Sequence, residues 1–345
     1  MQKIDLLSLN LTEMEELLAS LGEKKYRAGQ IFQWVNLGIK DYDLMTNLSK
    51  QLRRKLQEDT FITNIKIEKK IISKLDATIK YLFLLEDGNI VEGVAMQHNY
   101  GLTICISSQV GCLMGCKFCA STLGGLIRNL RAGEMLDQIL AVQKDLGFKI
   151  TNIVIMGSGE PLHNYKEVIN FLKIVNNDKG LNIGNRHITL STCGLVEEIR
   201  SLAGLQIPIN LAISLHAPND KIRQDLMPIA KKYSLEELIE ACKYYLLYNR
   251  RRITFEYGLI KNVNDQDSHA FELSKLLKGL LCHVNLIPIN KVDESQLEKS
   301  SSEQIKSFQN ILKSNGIETT IRKEMGSDIH AACGQLRNTY LVGKQ

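Results

Sequence analysis

Residues 111–119 read Gly111-Cys112-Leu113-Met114-Gly115-Cys116-Lys117-Phe118-Cys119, a CxxxCxxC spacing that offers three thiolates to one centre with no fourth cysteine close by. An iron-sulfur cluster with a thiolate on every iron is complete and suits electron transfer, whereas three thiolates leave one iron open to a small molecule. Eight cysteines in 345 residues would give such a triplet by chance on the order of 0.004 times, although motif matches always carry false positives. Zinc is the alternative, because it too takes thiolates, but a structural zinc site wants four ligands in paired CxxC or His-containing spacings. No second pair is present: Cys193, Cys242 and Cys282 each stand alone in apolar stretches and read as buried small hydrophobes.

The triplet follows a strand-like run at residues 102–106, and from there apolar runs alternate with amphipathic stretches. Residues 153–156 are continuously apolar and stop at Gly157, after which Tyr165, Val168, Ile169, Leu172 and Val175 recur with helical spacing. Further strands are expected at residues 187–192, 209–215, 253–260, 283–289 and 317–321. A helix opening on a capping box, Ser234 with Glu237 three residues on, runs to about Tyr248. About seven strands alternating with helices predict an α/β fold, a partial TIM-like (β/α) barrel. In such barrels the chemistry gathers at the C-terminal strand ends. The cysteine loop follows the first strand, Gly157-Ser158-Gly159-Glu160-Pro161 the second, Ser191 and Thr192 end the third, and Ser214-Leu215-His216 end the fourth, so all face one mouth.

Residues 1–60 differ in pattern. Residues 11–18, 26–35 and 44–56 have helical periodicity and predict a small helical domain. Across residues 61–97 the period shortens to two, as at Thr63, Ile65 and Ile67 and at Tyr81, Phe83 and Leu85, which with a turn at Asp87-Gly88-Asn89 predicts a strand-rich connector. The expected organisation is thus 1–60, 61–97 and a main domain at 98–345, with no internal repeat.

Hydrophobic residues at 44% and charged residues at 23% are ordinary for a globular chain of this length and argue against disorder. No apolar run approaches the roughly 18 residues that span a bilayer, and Met1-Gln2-Lys3-Ile4-Asp5 carries no apolar signal region. A cytoplasmic protein without membrane contact is expected, in a reducing compartment where thiolates serve metals and catalysis. A net charge of +5 is too small to argue nucleic-acid binding alone, but the basic residues cluster: Lys24, Lys25 and Arg27; Lys50, Arg53, Arg54 and Lys55; Lys66, Lys69 and Lys70; Arg250, Arg251 and Arg252. Such clusters either follow a phosphate backbone or are solvated helix faces.

The CxxxCxxC loop, with Phe118 before its last cysteine, resembles the radical S-adenosylmethionine (SAM) superfamily, in which SAM chelates the open iron of a 4Fe-4S cluster. Further stretches narrow the resemblance: Cys105-Ile106-Ser107-Ser108-Gln109-Val110-Gly111-Cys112, Arg128-Asn129-Leu130, Gly159-Glu160-Pro161-Leu162, Leu190-Ser191-Thr192, Ser214-Leu215-His216-Ala217-Pro218-Asn219, Val284-Asn285-Leu286-Ile287-Pro288 and Ala331-Ala332-Cys333-Gly334-Gln335-Leu336. These are similar to the RlmN family of dual-specificity RNA methyltransferases, over nearly the whole chain. The resemblance implies methylation of carbon 2 of adenine in 23S ribosomal RNA and in transfer RNA beside the anticodon. That carbon is electron-poor and has no lone pair, so a carbon radical is required and the protein's task is positioning.

By the same resemblance, Cys333 takes a methyl group from one SAM, and a second SAM is cleaved to a deoxyadenosyl radical that abstracts hydrogen from it. The methylene carbon adds to adenine, and Cys105 forms a disulfide with Cys333 to release the product. Cys112, Cys116 and Cys119 would hold the cluster. Gly159, Glu160, Ser191, Ser214, Leu215, His216 and Asn290 would contact SAM, and Glu92 matches a proposed proton acceptor. A flavodoxin or ferredoxin would supply electrons to a monomer. Read without the resemblance, Cys105 is a buried thiol, Glu160 a helix cap and Glu92 a solvated strand carboxylate; Cys333, among Gly and Ala, can remain accessible and reactive. Two positions depart from the family pattern: Ser158 where methionine is frequent, and His330 where aspartate is frequent, which removes a negative charge near Cys333. Two rival readings stand: a Cfr-like enzyme methylating adenine carbon 8, and a non-catalytic RNA-binding protein with a structural metal. Residues 120–126, Gly159-Glu160-Pro161 and Phe255-Glu256-Tyr257 resemble RlmN more than Cfr, and Cys105 and Cys333 serve no purpose in a structural metal site.

Overall fold

The amphipathic N-terminal segments form helices α1 (Leu11–Ser20), α2 (Tyr26–Asn36) and α3 (Lys50–Asp59) in a computed structural model that describes residues 3–289 and 297–331. Helix α1 starts on a capping box: Asn10 Oδ1 accepts from Glu13 N at 3.1 Å and Glu13 Oε2 accepts from Asn10 N at 2.9 Å. The apolar pattern beginning at residue 44 becomes helical only at Lys50, because Ser49 Oγ accepts from Leu52 N and caps the helix there.

Strands β1 (Ile4–Asp5) and β2 (Thr60–Phe61) pair in parallel and bring the two ends of this helical segment together. The buried Asp5 carboxylate accepts from Leu7 N (3.2 Å), Ser8 Oγ (2.6 Å), Thr63 N (3.0 Å) and Thr63 Oγ1 (2.5 Å), and it faces Arg131 Nε at 3.4 Å. The helices also lean on the rest of the chain through apolar packing, in one contiguous core that runs from Leu6 to Ile317.

Residues 61–97 do not form a free-standing connector. Strands β3 (Lys66–Ile72), β4 (Ile79–Leu84) and β5 (Ile90–His98) pair antiparallel with one another and with β6 (Gly101–Ile106). The turn expected at Asp87-Gly88-Asn89 joins β4 to β5, with Gly88 at φ 82°. A short ribbon, β7 (Gln109–Gly111) with β8 (Leu126–Asn129), then brackets the cysteine loop and leads into α4 (Ala132–Leu146).

From β6 onward every neighbour in the main sheet is parallel: β9 (Asn152–Ile155), β10 (Ile188–Thr192), β11 (Asn210–Ser214), β12 (Ile253–Leu259), β13 (Cys282–Pro288) and β14 (Thr319–Ile321). Helices α5 (Tyr165–Asn176), α6 (Val196–Gly204), α7 (Asp220–Leu226), α8 (Leu235–Asn249), α9 (Asp267–Leu277) and α10 (Ser302–Ser314) fill the crossovers. Among the described residues the sheet holds ten strands in the order β14-β13-β12-β11-β10-β9-β6-β5-β4-β3. This is an α/β arrangement, a partial barrel whose parallel strands aim their C-terminal ends at one mouth. The capping box expected at Ser234 is present: Ser234 Oγ accepts from Glu237 N and Glu237 Oε2 from Ser234 N.

Asp5 therefore carries the joint between the helical segment and the sheet. Asp5→Ala leaves several buried donors without an acceptor and is expected to destabilise the protein by about 3 kcal/mol. A urea-unfolding midpoint within error of the parent would show that the joint does not depend on this carboxylate.

Candidate active site

The cysteine loop leaves the ribbon at Gly111, whose φ of 78° and whose neighbour leave no room for a side chain: a Cβ there would lie 1.9 Å from Gly125 O. Across the base of the loop Cys112 N donates to Gly125 O at 2.9 Å. Cys112 and Cys116 are buried and Cys119 half-buried, and all three thiols line one pocket at the barrel mouth. Burial pushes the Cys112 thiol up to about 12, and Cys116 is pushed up in the same way; the neighbouring Cys119 and Glu160 act in the same direction. Thiols so placed become thiolates only beside a strong positive centre, which is what bound iron provides. Among the described residues no three His, Cys, Asp or Glu side chains are grouped to hold one metal ion. A lone zinc would need such a group, whereas a cluster distributes its thiolates over several irons. The donor set thus fits a cluster better than zinc.

Opposite the thiols, the loop after β9 is sewn to the one after β6. Gly157 N donates to Ile106 O (2.9 Å), Ser158 N to Ser107 Oγ (2.9 Å) and Glu160 N to Gln109 Oε1 (2.8 Å), while Ser158 O accepts from Ser108 N and Gln109 N. Ser158 makes these bonds through its own backbone N and O, so serine in place of methionine leaves them intact. Gly159 has φ 108°, and a Cβ there would lie 2.6 Å from Gln109 Cβ.

Glu160 is buried in the pocket wall, where Oε1 accepts from Leu162 N (3.0 Å) and Oε2 from Cys193 N (2.7 Å). It caps the 3-10 turn Pro161–Asn164 and lines the pocket as well. Burial raises its carboxyl pKa against those hydrogen bonds. Ser191 and Ser214 line the same pocket from the ends of β10 and β11. His216 closes it at φ 55°; its Nδ1 accepts from Gly258 N at 2.8 Å, and its ring meets Phe118 edge-on with centroids 4.5 Å apart. Burial, with Arg223 adding to it, lowers the His216 pKa to about 3, so the ring is neutral at physiological pH. Leu215 is fully buried behind the wall, where its carbonyl accepts from Arg223 Nε at 3.3 Å.

Cys105 is buried on β6 and lines an adjoining cavity with Met96, Tyr100 and Ala331; Ile287 and Arg322 line both this cavity and the first. Cys333 and Asn290 lie outside the described residues. Glu92 is not the solvated carboxylate that strand alternation suggests: it is buried on β5 and ion-paired with Lys80 Nζ at 2.9 Å, and Lys80 also donates to His330 O at 3.1 Å. His330 itself is exposed at φ 50°.

Sequence reading missed four residues here. Cys193 is a wall residue beside Cys116, not merely a buried hydrophobe. Arg223 is fully buried; its Nη2 donates to Cys193 O at 2.7 Å and its Nη1 has no hydrogen-bond partner. Glu256 is buried in the wall, accepts from Asn285 Nδ2 at 2.9 Å and has its pKa raised by burial, with Arg322 opposing. Arg322 lies at the junction of the two cavities. Each is a single residue, Arg223 in α7, Glu256 in β12, and Cys193 and Arg322 just past the ends of β10 and β14, and no spacing marks it.

A family model for the ribosomal RNA large subunit methyltransferase N-terminal domain matches residues 4–62, and one for the radical SAM superfamily matches residues 106–273. A "probable dual-specificity RNA methyltransferase RlmN" of Alkaliphilus oremlandii is 69% identical, with 99% of each chain covered. The chain belongs to the RlmN family. The relative of the same description in Clostridioides difficile is 53% identical over 98% of this chain and 99% of its own. A crystal structure of a radical SAM methyltransferase from Sphaerobacter thermophilus superposes with a TM-score of 0.90 at 45% identity, covering 96% of this chain and 99% of that one. A 4Fe-4S cluster and SAM are the cofactors of an RlmN-family enzyme, and the three thiols and the Glu160 wall are the residues available to hold them.

Anaerobically reconstituted protein is expected to carry about four irons and a broad visible absorption band, both lost on replacing Cys112, Cys116 or Cys119 by Ala. Stoichiometric zinc without a chromophore would restore the structural-metal reading.

Proposed function

We infer that this RlmN-family protein is a radical SAM methyltransferase acting on carbon 2 of adenosine in 23S ribosomal RNA and in transfer RNA next to the anticodon. The observation that carries this reading is a pair of adjoining cavities that share Ile287 and Arg322: one lined by Cys112, Cys116, Cys119 and Glu160, the other by Cys105. The cluster and SAM, when bound, supply one-electron cleavage of a carbon–sulfur bond. The rest is the work of the chain. Glu160, Gly159, Ser191, Ser214, Leu215, His216 and Asn290 are proposed to hold SAM, the neutral His216 offering hydrogen-bond capacity without charge.

Cys333 is proposed to carry the methyl carbon to adenine. Cys105 then attacks the Cys333 sulfur, so a disulfide forms as the carbon–sulfur bond breaks and product leaves. Ala331, two residues before Cys333, lies in the Cys105 cavity, which agrees with such an encounter. Glu92 is proposed to accept the adenine proton; it is held in place by its ion pair with Lys80 Nζ at 2.9 Å.

Residues 1–60 are proposed as an RNA-binding accessory domain, 61–97 as a connector and 98–345 as the methyltransferase domain of a monomeric, cytoplasmic enzyme reduced by flavodoxin or ferredoxin. Among the described residues no helix is long and apolar enough to cross a membrane. In the N-terminal clusters, Arg53 and Lys55 donate to the backbone carbonyls of Asp43 and Leu21, whereas Lys24, Lys25, Lys50 and Arg54 are exposed. RNA affinity is therefore assigned to these four. Reversing their charges is expected to weaken RNA binding and flatten its dependence on salt, since fewer counterions are released, while SAM cleavage without RNA persists. Unchanged affinity and slope would leave them as a solvated face.

The two working cysteines separate by product. Cys333→Ala is expected to be inactive with no RNA attached, and Cys105→Ala to accumulate protein covalently joined to RNA, seen as a nuclease-sensitive slow band on denaturing gels. Normal turnover by Cys105→Ala, or equal trapping by both variants, would overturn these roles.

A further inference from the structure

The outer side of the cysteine loop is left unexplained by the chemistry on its inner side. Along the loop the chain alternates: Cys112, Met114, Cys116 and Phe118 line the pocket, whereas Leu113, Gly115 and Lys117 are exposed. Thr122 again faces in, and Leu123 faces out. Leu113 is 63% exposed, Leu123 57% and Ile127 52%. The bond from Cys112 N to Gly125 O brings Leu113 and the 123–127 segment to the same end of the ribbon. Three large aliphatic side chains thus stand in water on the stretch of chain whose other side carries the cluster thiols, and solvent alone gives no reason for them.

The border of this patch is basic. Lys117 N donates to Leu226 O at 3.0 Å, and a Cβ on Gly115 would lie 3.3 Å from Pro228 Cγ, so residues 226–228 flank the loop, and exposed Lys231 and Lys232 follow them in the chain. Within residues 113–127 and 221–232 the exposed charges are Lys117, Lys221, Lys231 and Lys232 against Asp225. An apolar centre with a charged border of one sign is the anatomy of a transient protein interface, in which the charges steer encounter. The lysines alone would suit RNA as well, but RNA bases are met by aromatic faces, and the centre of this patch, Leu113, Leu123 and Ile127, is aliphatic.

We propose that this face, centred on Leu113, Lys117, Leu123 and Ile127, is the docking surface for an acidic flavodoxin-type electron donor. The inference rests on the radical SAM reading, which requires one electron from outside the chain for each SAM cleaved. In the step, one electron would leave the donor's reduced flavin for the cluster that Cys112, Cys116 and Cys119 would hold, and no bond at the face forms or breaks. The apolar dimethylbenzene edge of a flavin is the group that the three aliphatic side chains would cover, and the donor's acidic surface is what the lysines would meet.

The test compares reductants on the full-length, cluster-loaded protein, with iron content measured for every variant. Leu113→Glu and, separately, Lys117→Glu are expected to slow cluster reduction by reduced flavodoxin at least tenfold. The parent's flavodoxin rate should fall with salt, and reduction by dithionite and RNA affinity should not change. An unaltered flavodoxin rate in both variants overturns the proposal. So does an equal loss with dithionite, which makes the face structural, or a loss of RNA affinity, which makes it an RNA contact. A dependence seen with reduced ferredoxin and not with flavodoxin overturns the flavin assignment. Failure of the parent itself to take up iron or to cleave SAM with dithionite would instead defeat the radical SAM reading, so the two failures are distinguishable.

Discussion

Everything at the mouth depends on the stitching of two loops that end neighbouring parallel strands. The β6–β9 pairing sets Ile106 beside Ile155, and from there the chain ends diverge only after Gly157, Ser158 and Glu160 have each bonded to residues 106–109. The side of this seam that continues from Gln109 becomes the ribbon presenting the cysteines. The side that continues from Gly159 becomes the carboxylate wall. Because the bonds are mostly backbone and buried, they have little freedom to give, and unmaking one would strand a buried polar group. The distance between the cluster loop and the carboxylate wall is therefore a property of the sheet register, not of flexible loops.

Charge is placed with similar economy. Glu160 and Arg223 are both buried, and they grip the two ends of one residue: Glu160 accepts from Cys193 N and Arg223 donates to Cys193 O. Buried charges are tolerated only when paired or hydrogen-bonded, and Arg223 still has Nη1 without a partner beside the Cys116 and Cys193 thiols. A cluster held by thiolates would be anionic, so a buried guanidinium in this wall would offset its charge. That gives Arg223 a physical reason for its burial that packing alone would not.

Much of this was legible in sequence, for reasons that differ by element. The parallel strands appeared as apolar runs because both faces of such strands are covered, and helix α8 announced itself by Ser234 and Glu237. The cysteine spacing marked the loop. Residues 61–97 were read as a connector because alternation reports strand but not its partner; only pairing through β5 and β6 reveals that they extend the main sheet. Alternation likewise left a solvated carboxylate open as one of the two readings of Glu92, since a period of two does not say which face meets Lys80. Cys193, Arg223, Glu256 and Arg322 gave no signal, because each acquires its position from residues distant in the chain. The outward alternation of Leu113, Lys117 and Leu123 also needed the fold, which alone shows where the pocket lies.

The central claim is that these adjoining cavities deliver a methyl carbon to carbon 2 of adenine. Mass spectrometry of nucleosides from 23S ribosomal RNA and transfer RNA, taken from a strain lacking this gene and from the same strain with it restored, tests that claim directly. The account predicts that 2-methyladenosine disappears from both RNAs and returns on restoration. Unchanged 2-methyladenosine, or the loss of 8-methyladenosine in its place, would contradict it.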